Sequence, residues 1–294
     1  MQKIIIKMKD EKQRVALISV FAAFLITGMK IVVGVLTGSL GILSEALHSG
    51  LDLVATAVTF FAVRMADKPA DKHHTYGHGK VENLSALFET LLLIITSFWI
   101  IYEAIKRLMG APFEIEVTFW SFFVMIVSIL VDWFRSRALL KVAKKHNSQA
   151  LEADALHFST DIWSSAVVIV GLIGSILGYP GADAIAALAV AMIVLWVCYR
   201  MGKKSIDVLL DRAPIEETKT ITLALNNIAG ILYWHDLKVR QSGADVLVEV
   251  NIHIDPSYTI GQAHQLAHEV EQKIVQACPR AFVHVHQEPH TSNS

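Results

Sequence analysis

Two histidine–aspartate pairs stand in separate apolar stretches of this 294-residue chain, each with a spacing of four residues. His48 and Asp52 lie in SEALHSGLDLVAT, and His157 and Asp161 lie in ADALHFSTDIWSSAVV. Residues four apart share one face of a helix, so each pair presents an imidazole and a carboxylate together. Ionisable side chains are costly inside a bilayer, and two nitrogens with two oxygens suit a four-coordinate Zn²⁺ ion. The four residues therefore predict a path for a metal ion through a membrane.

The repetition of the pair favours a metal-binding role over an ordinary packing role for these residues. A single intramembrane histidine is more often a packing residue held by a hydrogen bond, but two such pairs in separate stretches are hard to explain in that way. Metal binding requires deprotonated ligands, so metal ions and protons compete for the same atoms. Glu45 and Asp154 each precede a pair by about one turn, and they either orient the imidazoles or carry charge at the membrane interface. Asp132 is expected to pair with Arg135.

The composition indicates an integral membrane protein. Hydrophobic residues make up 53% of the chain and charged residues only 18%, and the apolar residues occur in blocks. The formal net charge of -1 gives no indication of nucleic-acid binding. Six blocks are long enough to cross a hydrocarbon core of roughly 30 Å as helices. They are Val15–Leu36, Leu40–Met65, Val81–Leu108, Val117–Leu140, Gln149–Leu177 and Ala182–Met201.

Lysine and arginine are concentrated on one side of these predicted spans. They occur in the N-terminal segment, in the second–third and fourth–fifth connections, and after the sixth span. The connections that contain TGS and GYPG have none. Because positively charged connections stay in the cytoplasm, both termini are predicted to be cytoplasmic.

From about residue 207 the sequence changes to the pattern of a soluble domain. Helical and alternating periodicities follow in the order α-β-β-α-β, with a turn at Ser242 and Gly243. This order fits a small ferredoxin-like α/β domain. We therefore predict an α-helical membrane domain of six transmembrane helices over 1–206 and a cytoplasmic ferredoxin-like domain over 207–294. The predicted soluble elements are Ile215–Asn227, His235–Arg240, Val246–Ile254, Thr259–Gln276 and Ala281–Gln287.

Two further groups of possible ligands lie outside the spans. In the second–third connection, Asp71, His74 and His78 fall within eight residues and could close around one ion, although a polar loop with incidental histidines is the plain alternative. Histidines of the C-terminal region fall on different elements that a sandwich could bring together. Spacing alone does not separate these from scattered surface histidines. They are His235, His253, His264 and His286, with Glu288 after them.

Four motifs of the chain resemble the cation diffusion facilitator family, in particular its bacterial zinc/proton antiporters. They are GSLGILSEALHSGLD, PADKHHTYGHGKVE, LEADALHFSTD and LLDRAP, and the resemblance extends over essentially the whole chain. It implies that the two membrane pairs form the transport site and that the connection carries a loop site. It also implies that His235, His264, His286 and Glu288 hold a binuclear zinc site at a dimer interface. Lys80 and Asp211 match a charged interlock between protomers.

Two positions depart from the pattern of that family. Asn251 stands where the antiporters have a strand histidine, with His253 two residues later on the same face, so the number of tail metal ions is open. His48 stands where the best-known bacterial pattern has an aspartate, and a second imidazole favours zinc over manganese. The chain also lacks the histidine-rich loop of eukaryotic members between the fourth and fifth spans, which favours a bacterial plasma (inner) membrane.

The leading hypothesis is a homodimeric efflux transporter that exchanges Zn²⁺ for protons, with further zinc in a regulatory role. Fe²⁺, Cd²⁺ or Co²⁺ remain alternative main substrates. An intramembrane zinc enzyme is disfavoured because four protein ligands leave no open position for water, and the chain has no HExxH motif. A membrane-anchored metal sensor would not need ligands buried in two spans.

Overall fold

Among the residues that the structure describes, six long helices lie in the N-terminal part of the chain, and a small α/β unit follows them. The structure is a computed structural model that describes residues 2–37, 40–109, 119–176 and 182–291. The described helices of the first part are α1 (Gln2–Thr37), α2 (Leu40–Ala66), α3 (Val81–Leu108), α4 (Phe119–His146), α5 (Gln149–Ile176) and α6 (Ala182–Leu209). The later elements are α7 (Ile215–Asn226), β1 (Tyr233–Ser242), β2 (Asp245–Ile254), α8 (Ile260–Ala277) and β3 (Ala281–Pro289).

The helical part exposes many large apolar side chains on its outside and buries many small ones between its helices. Phe21 and Trp99 expose 62% and 69% of their surface, whereas Ala23, Ala55 and Ala155 are buried. In water this arrangement would be unfavourable, but in lipid it is expected, because small residues let helices approach closely and the tails solvate the large ones. The packing therefore agrees with a membrane domain.

Four of the described helices contain stretches that are long and apolar enough to cross a membrane. The predicted fourth and fifth spans lie partly outside the described residues, and their described parts form α4 and α5. The four stretches are Asp10–Leu36, Ala46–Ala66, Val81–Lys106 and Ala184–Leu209. Within this bundle α2 packs against α5, which places the two ligand-bearing helices side by side.

The C-terminal unit is a three-stranded sheet with two helices, as the sequence predicted. β1 pairs antiparallel with β2, and β2 pairs parallel with β3, so β2 is the central strand. Alternation along β2 turns Val248, Val250 and Ile252 into the core, where Ile221 of α7 and Ile274 of α8 are also fully buried. The opposite face of the sheet consequently carries the polar side chains.

The connection between α2 and α3 packs with this C-terminal unit. Two compact units divide the chain, one of Met1–Pro69 with Val81–Ile206, the other of Ala70–Lys80 with Asp207–Ser294. The backbone of Gly79 lies against the β1–β2 turn, so closely that a Cβ atom there would stand 2.4 Å from the carbonyl oxygen of Ser242. Glycine is therefore required at this contact. The boundary predicted at residue 207 did not anticipate that this connection would belong to the C-terminal unit.

Candidate metal sites

The membrane cluster joins α2 to α5 through three of the four predicted transport ligands. His157 Nε2 lies 3.0 Å from Asp52 Oδ1 and 3.7 Å from Asp161 Oδ2. One ligand atom from each of the three residues lies within 4.8 Å of the other two. His157 is buried, and its Nδ1 has no hydrogen-bond partner. Small side-chain movements would let all three bind one divalent ion.

His48, the fourth predicted ligand, lies one turn before Asp52 on α2 and is half-buried. It stands outside the three-residue cluster, but its imidazole is close enough to interact electrostatically with the carboxylates of Asp52 and Asp161. A side chain one turn away on the same helix face reaches a shared ion by changing its rotamer. The structure thus makes His48 a neighbour of the cluster, and its role as a ligand stays a prediction.

Asp154 is buried on α5, but hydroxyl groups hold it. Ser19 Oγ donates to Asp154 Oδ2 at 3.4 Å, and Thr56 Oγ1 donates to Oδ1 at 3.3 Å. These contacts tie α5 to α1 and α2 and give Asp154 a structural place beside the site. The side chain of Glu45, the other carboxylate considered for such a role, lies outside the described residues.

The expected ion pair between Asp132 and Arg135 is confirmed. Arg135 Nη1 donates to Asp132 Oδ1 at 3.1 Å, and Nη2 donates to Ser19 Oγ at 3.0 Å. The guanidinium also stacks on the ring of Phe158, 3.6 Å from its centroid. Arg135 therefore links α4 to α1 and α5, and these contacts explain why a cation is tolerated in the bundle.

The loop cluster brings Asp71, His74 and His78 together as predicted from their spacing. His74 Nδ1 lies 3.4 Å from Asp71 Oδ1, and His78 Nε2 lies 3.4 Å from Asp71 Oδ2. The two imidazole rings are 4.4 Å apart between centroids. Asp71 and His74 are exposed, whereas His78 is buried at the inner end of the group. A site of this kind is open to ions from solution.

The backbone prepares Asp71 to act as an anionic ligand. The N–H groups of His74 and His73 donate to Asp71 Oδ1 at 2.7 and 2.8 Å. These two hydrogen bonds lower the pKa of Asp71 below its ordinary value because they favour the charged form. The carboxylate therefore stays ionised and available for a cation near neutral pH.

In the tail, the structure groups His235, His253 and Glu288 on the polar face of the sheet. Ligand atoms of the three lie within 4.8 Å of one another. The strand register explains the grouping, since Glu288 on β3 stands opposite His253 on the central strand, and His235 on β1 stands opposite the neighbouring Asn251. Three of the five predicted tail ligands are thus brought together.

The other two tail residues have different surroundings. His286 is exposed, and its Nε2 lies 3.7 Å from Glu288 Oε1, at the edge of the group. His264 lies on α8, where its ring is 4.4 Å from that of His268, and His268 Nδ1 is 2.9 Å from Glu271 Oε2. Among the described contacts of the chain, none joins His264 to the sheet cluster. Its role as a tail ligand remains a prediction.

Lys80 and Asp211, the predicted interlock between protomers, bind each other in the single chain. Lys80 Nζ lies 2.7 Å from Asp211 Oδ1, and Arg240 Nη1 lies 3.4 Å from Asp211 Oδ2. The hydrogen bond from Lys80 is the main reason why the pKa of Asp211 is lowered. The pair therefore fastens the connection of Ala70–Lys80 to the C-terminal unit within one chain, and a role between protomers stays a prediction.

Two charged groups in the helical unit were not predicted from the sequence. Lys30 donates from Nζ to Ser49 Oγ at 2.7 Å, beside the first ligand pair. Lys12 lies between two carboxylates, 2.7 Å from Asp67 Oδ1 and 2.9 Å from Glu82 Oε1, and all three are largely buried. Lys30 could have been noticed in the sequence because it is a lysine inside an apolar block. The partners of Lys12 could not, because they are distant in sequence.

Comparison with known proteins gives matches over both parts of the chain. The cation efflux transmembrane domain family matches residues 16–210, and the cation efflux protein cytoplasmic domain family matches residues 213–290. The cation-efflux pump FieF of Serratia proteamaculans is 34% identical over 282 residues, which cover 93% of this chain and 91% of that protein. FieF of Klebsiella pneumoniae is 33% identical over 258 residues, covering 86% and 84%. The chain belongs to the cation efflux family.

Membership of the cation efflux family settles the general class of the protein. It is a membrane transporter for cations and not an enzyme. The resemblance seen in the sequence motifs is confirmed, and so is the combination of a helical membrane part with a small α/β domain. That domain is similar to solved structures titled MamM CTD, for example a cadmium form at 26% identity. That match covers 26% of this chain and 96% of the other, with a TM-score of 0.25.

Proposed function

We propose that the protein exports Zn²⁺ from the bacterial cytoplasm across the plasma membrane in exchange for protons. The observation that carries the proposal is the convergence of Asp52, His157 and Asp161 from two adjacent helices into one cluster around the buried His157. Two carboxylates and a neutral imidazole together carry two negative charges. A divalent cation balances this charge, which a site removed from water requires. With His48, the site would offer two nitrogens and two oxygens.

The ligand types support zinc over harder ions. Imidazole suits Zn²⁺, Fe²⁺ and Co²⁺, whereas Mn²⁺ and Mg²⁺ prefer sites made of oxygen. Zn²⁺ accepts four ligands in a tetrahedral arrangement with no electronic preference of its own. The donor set of His48, Asp52, His157 and Asp161 matches that number. The names of the relatives, cation-efflux pumps, support export as the direction.

Proton coupling follows from the same atoms. A histidine or carboxylate binds metal only when it is deprotonated, so each metal ion that leaves can be replaced by protons. Imidazoles and carboxylates take up protons as the pH falls, and the protonated forms do not bind metal. Acid outside would expel the metal from His48 and His157, and the more alkaline cytoplasm would favour reloading.

The remaining parts are assigned around this transport site. The helical domain over 1–206 would conduct the ion, and the cytoplasmic domain over 207–294 would form a homodimer and bind regulatory zinc. Both termini would be cytoplasmic, as the lysine and arginine distribution indicates. Asp71, His74 and His78 would form a solvent-exposed cytoplasmic site that collects ions.

Flux into proteoliposomes tests the proposal. Purified protein is reconstituted, and uptake of Zn²⁺, Cd²⁺, Fe²⁺, Co²⁺ and Mn²⁺ is measured with an imposed pH gradient. Zinc uptake should occur, should be preferred over manganese, and should stop when an ionophore collapses the pH gradient in the absence of a zinc gradient. Uptake that persists and depends on ATP or on another ion would refute proton antiport. Absence of flux with every metal would favour a sensor.

A further inference from the structure

Glu288 presents its two carboxylate oxygens to different neighbours. Oε2 faces two imidazoles, at 3.6 Å from His235 Nε2 and 3.5 Å from His253 Nε2. Oε1 accepts a hydrogen bond from Asn251 Nδ2 at 3.0 Å and lies 3.7 Å from His286 Nε2. The hydrogen bond from Asn251 thus takes up one lone pair of the oxygen that a second metal ion would use. An amide nitrogen donates a proton and does not bind a cation, so one side of Glu288 is suited to metal and the other is not.

A further histidine stands beside the metal-facing side. The rings of His253 and His290 are 5.6 Å apart between centroids, and those of His235 and His253 are 5.0 Å apart. Two imidazoles bound to one tetrahedral zinc ion at about 2.1 Å have their ring centroids about 5 Å apart. Both observed distances are near that value. His290 is fixed in place by its backbone N–H, which donates to the carbonyl oxygen of Ile254 at 2.9 Å.

The hydrogen bonding of His253 and His290 is incomplete without an ion or water. The Nδ1 atoms of both rings are buried and have no partner. Buried polar atoms are rarely left unpaired, and those that are usually indicate a bound water, an ion or a functional role. His253 faces Glu288 through Nε2, and the neighbouring ring of His290 has a buried Nδ1 without a partner, which indicates that this imidazole can supply a further ligand atom.

We propose that His290 is the fourth ligand of a single zinc ion held in each tail by His235, His253 and Glu288. The ligand set is three imidazoles and one carboxylate, a closed tetrahedral site supplied by one chain. Asn251 fixes Glu288 and excludes a second ion from the same carboxylate. This chain would therefore carry a mononuclear site where its family resemblance implies a binuclear one. The inference rests on the proposal that the tail binds zinc, and it is independent of transport.

Metal counting on the full-length protein tests the number of ions. Purified protein is dialysed to equilibrium against buffered free Zn²⁺, and bound metal is measured by mass spectrometry. The wild-type protein should bind one more zinc ion per chain than the double variant His235→Ala/His253→Ala. A difference of two ions would overturn the mononuclear site, and no difference would show that the tail binds no zinc. Neither result depends on flux, which is measured on the same preparations.

Substitution of His290 tests its role as a ligand. His290→Ala should weaken this tail site at least tenfold, since losing even an outer partner of a ligand costs about 10–100-fold in metal affinity. The control is His284→Ala, which removes an exposed histidine of β3, the strand that ends just before His290, and it should bind zinc as the wild type does. Cobalt gives a second readout, because the intense visible absorption of four-coordinate Co²⁺ in the tail should weaken in His290→Ala. His290→Gln is measured in parallel in case the alanine variant unfolds. Affinity and Co²⁺ absorption equal to those of the control would overturn the assignment.

Discussion

Replacement of Lys12 by methionine should destabilise the helical unit strongly. Lys12 Nζ lies 2.7 Å from Asp67 Oδ1 and 2.9 Å from Glu82 Oε1, and the side chains of the three expose at most 9% of their surface. Ser148 Oγ also donates to Glu82 Oε2 at 2.5 Å. Methionine keeps the length of the side chain but removes its charge. The two carboxylates would then lose the cation that lies between them.

The expected size follows from this burial. Removing one partner of a buried ion pair costs about 3–5 kcal/mol, chiefly because the remaining charge is left without compensation. For a unit of this size, each kcal/mol shifts the melting temperature by roughly 2–4 °C, which gives a loss of roughly 6–20 °C. The measurement is thermal unfolding of the purified protein in detergent.

Lys204→Met provides a control with the same chemical change. Lys204 Nζ lies 2.8 Å from Glu152 Oε2, so the distance is nearly the same, but the two side chains expose 53% and 32% of their surface. Exposed pairs contribute only about 0.2–1 kcal/mol. Equal shifts in the two variants would refute the reasoning, because burial would then not determine the effect. The reasoning would be supported if adding Glu82→Gln to Lys12→Met restored part of the lost melting temperature.

Three further predictions concern the ligands and the interlock. Asp161→Asn should abolish zinc flux in proteoliposomes. The control Thr160→Val removes a hydroxyl that donates to a carbonyl of its own helix, and it should retain flux. A folded Asp161→Asn protein with normal flux would contradict the transport-site assignment. His48→Asp should raise the ratio of cadmium or manganese flux to zinc flux, because it replaces an imidazole with hard oxygen ligands, and an unchanged ratio would mean that geometry sets selectivity. Because Lys80 lowers the pKa of Asp211, the contribution of this pair to stability should be present above the unfolded value of about 4 and should be lost as the pH falls through the lower folded value. At pH 6 the Asp211→Asn variant should therefore be less stable than the wild type by less than about 1 kcal/mol, which appears as a slightly lower melting temperature. In acid the two melting temperatures should converge.

The elements and sites that could be predicted from the sequence are those set by local spacing. A separation of four residues fixes two side chains on one helix face, so Asp161 and His157 were found without knowledge of the fold. The loop ligands could also be predicted, because they fall within eight residues and a short loop can bring them together. In the C-terminal unit, alternation in β2 and the turn at Ser242 and Gly243 predicted the strand pairing that is observed.

Contacts between distant parts of the chain could not be predicted in this way. Lys12 and Glu82 are 70 residues apart, and neither has a local pattern that names its partner. The packing of the Gly79 backbone on the β1–β2 turn likewise depends on tertiary structure. His290 was not predicted as a ligand from the sequence, because only the pairing of β2 with β3 and the hydrogen bond from its backbone N–H to Ile254 bring it next to His253.

The carboxylates inside the helical unit differ in the groups that compensate their charge, and this difference separates structural groups from the proposed transport site. Structural carboxylates have fixed donors: Lys12 for Glu82, Arg135 for Asp132, the Ser19 and Thr56 hydroxyls for Asp154, and the Thr59 hydroxyl for Glu89. The described contacts of Asp52 and Asp161 are instead to His157, which is an acceptor for metal when neutral and a cation only when protonated. These two carboxylates therefore have a partner that is neutral or charged depending on its proton, and a metal ion bound by all three residues can replace that proton. Proton-coupled exchange requires such a site, because a carboxylate already neutralised by a lysine or arginine would have little reason to bind either.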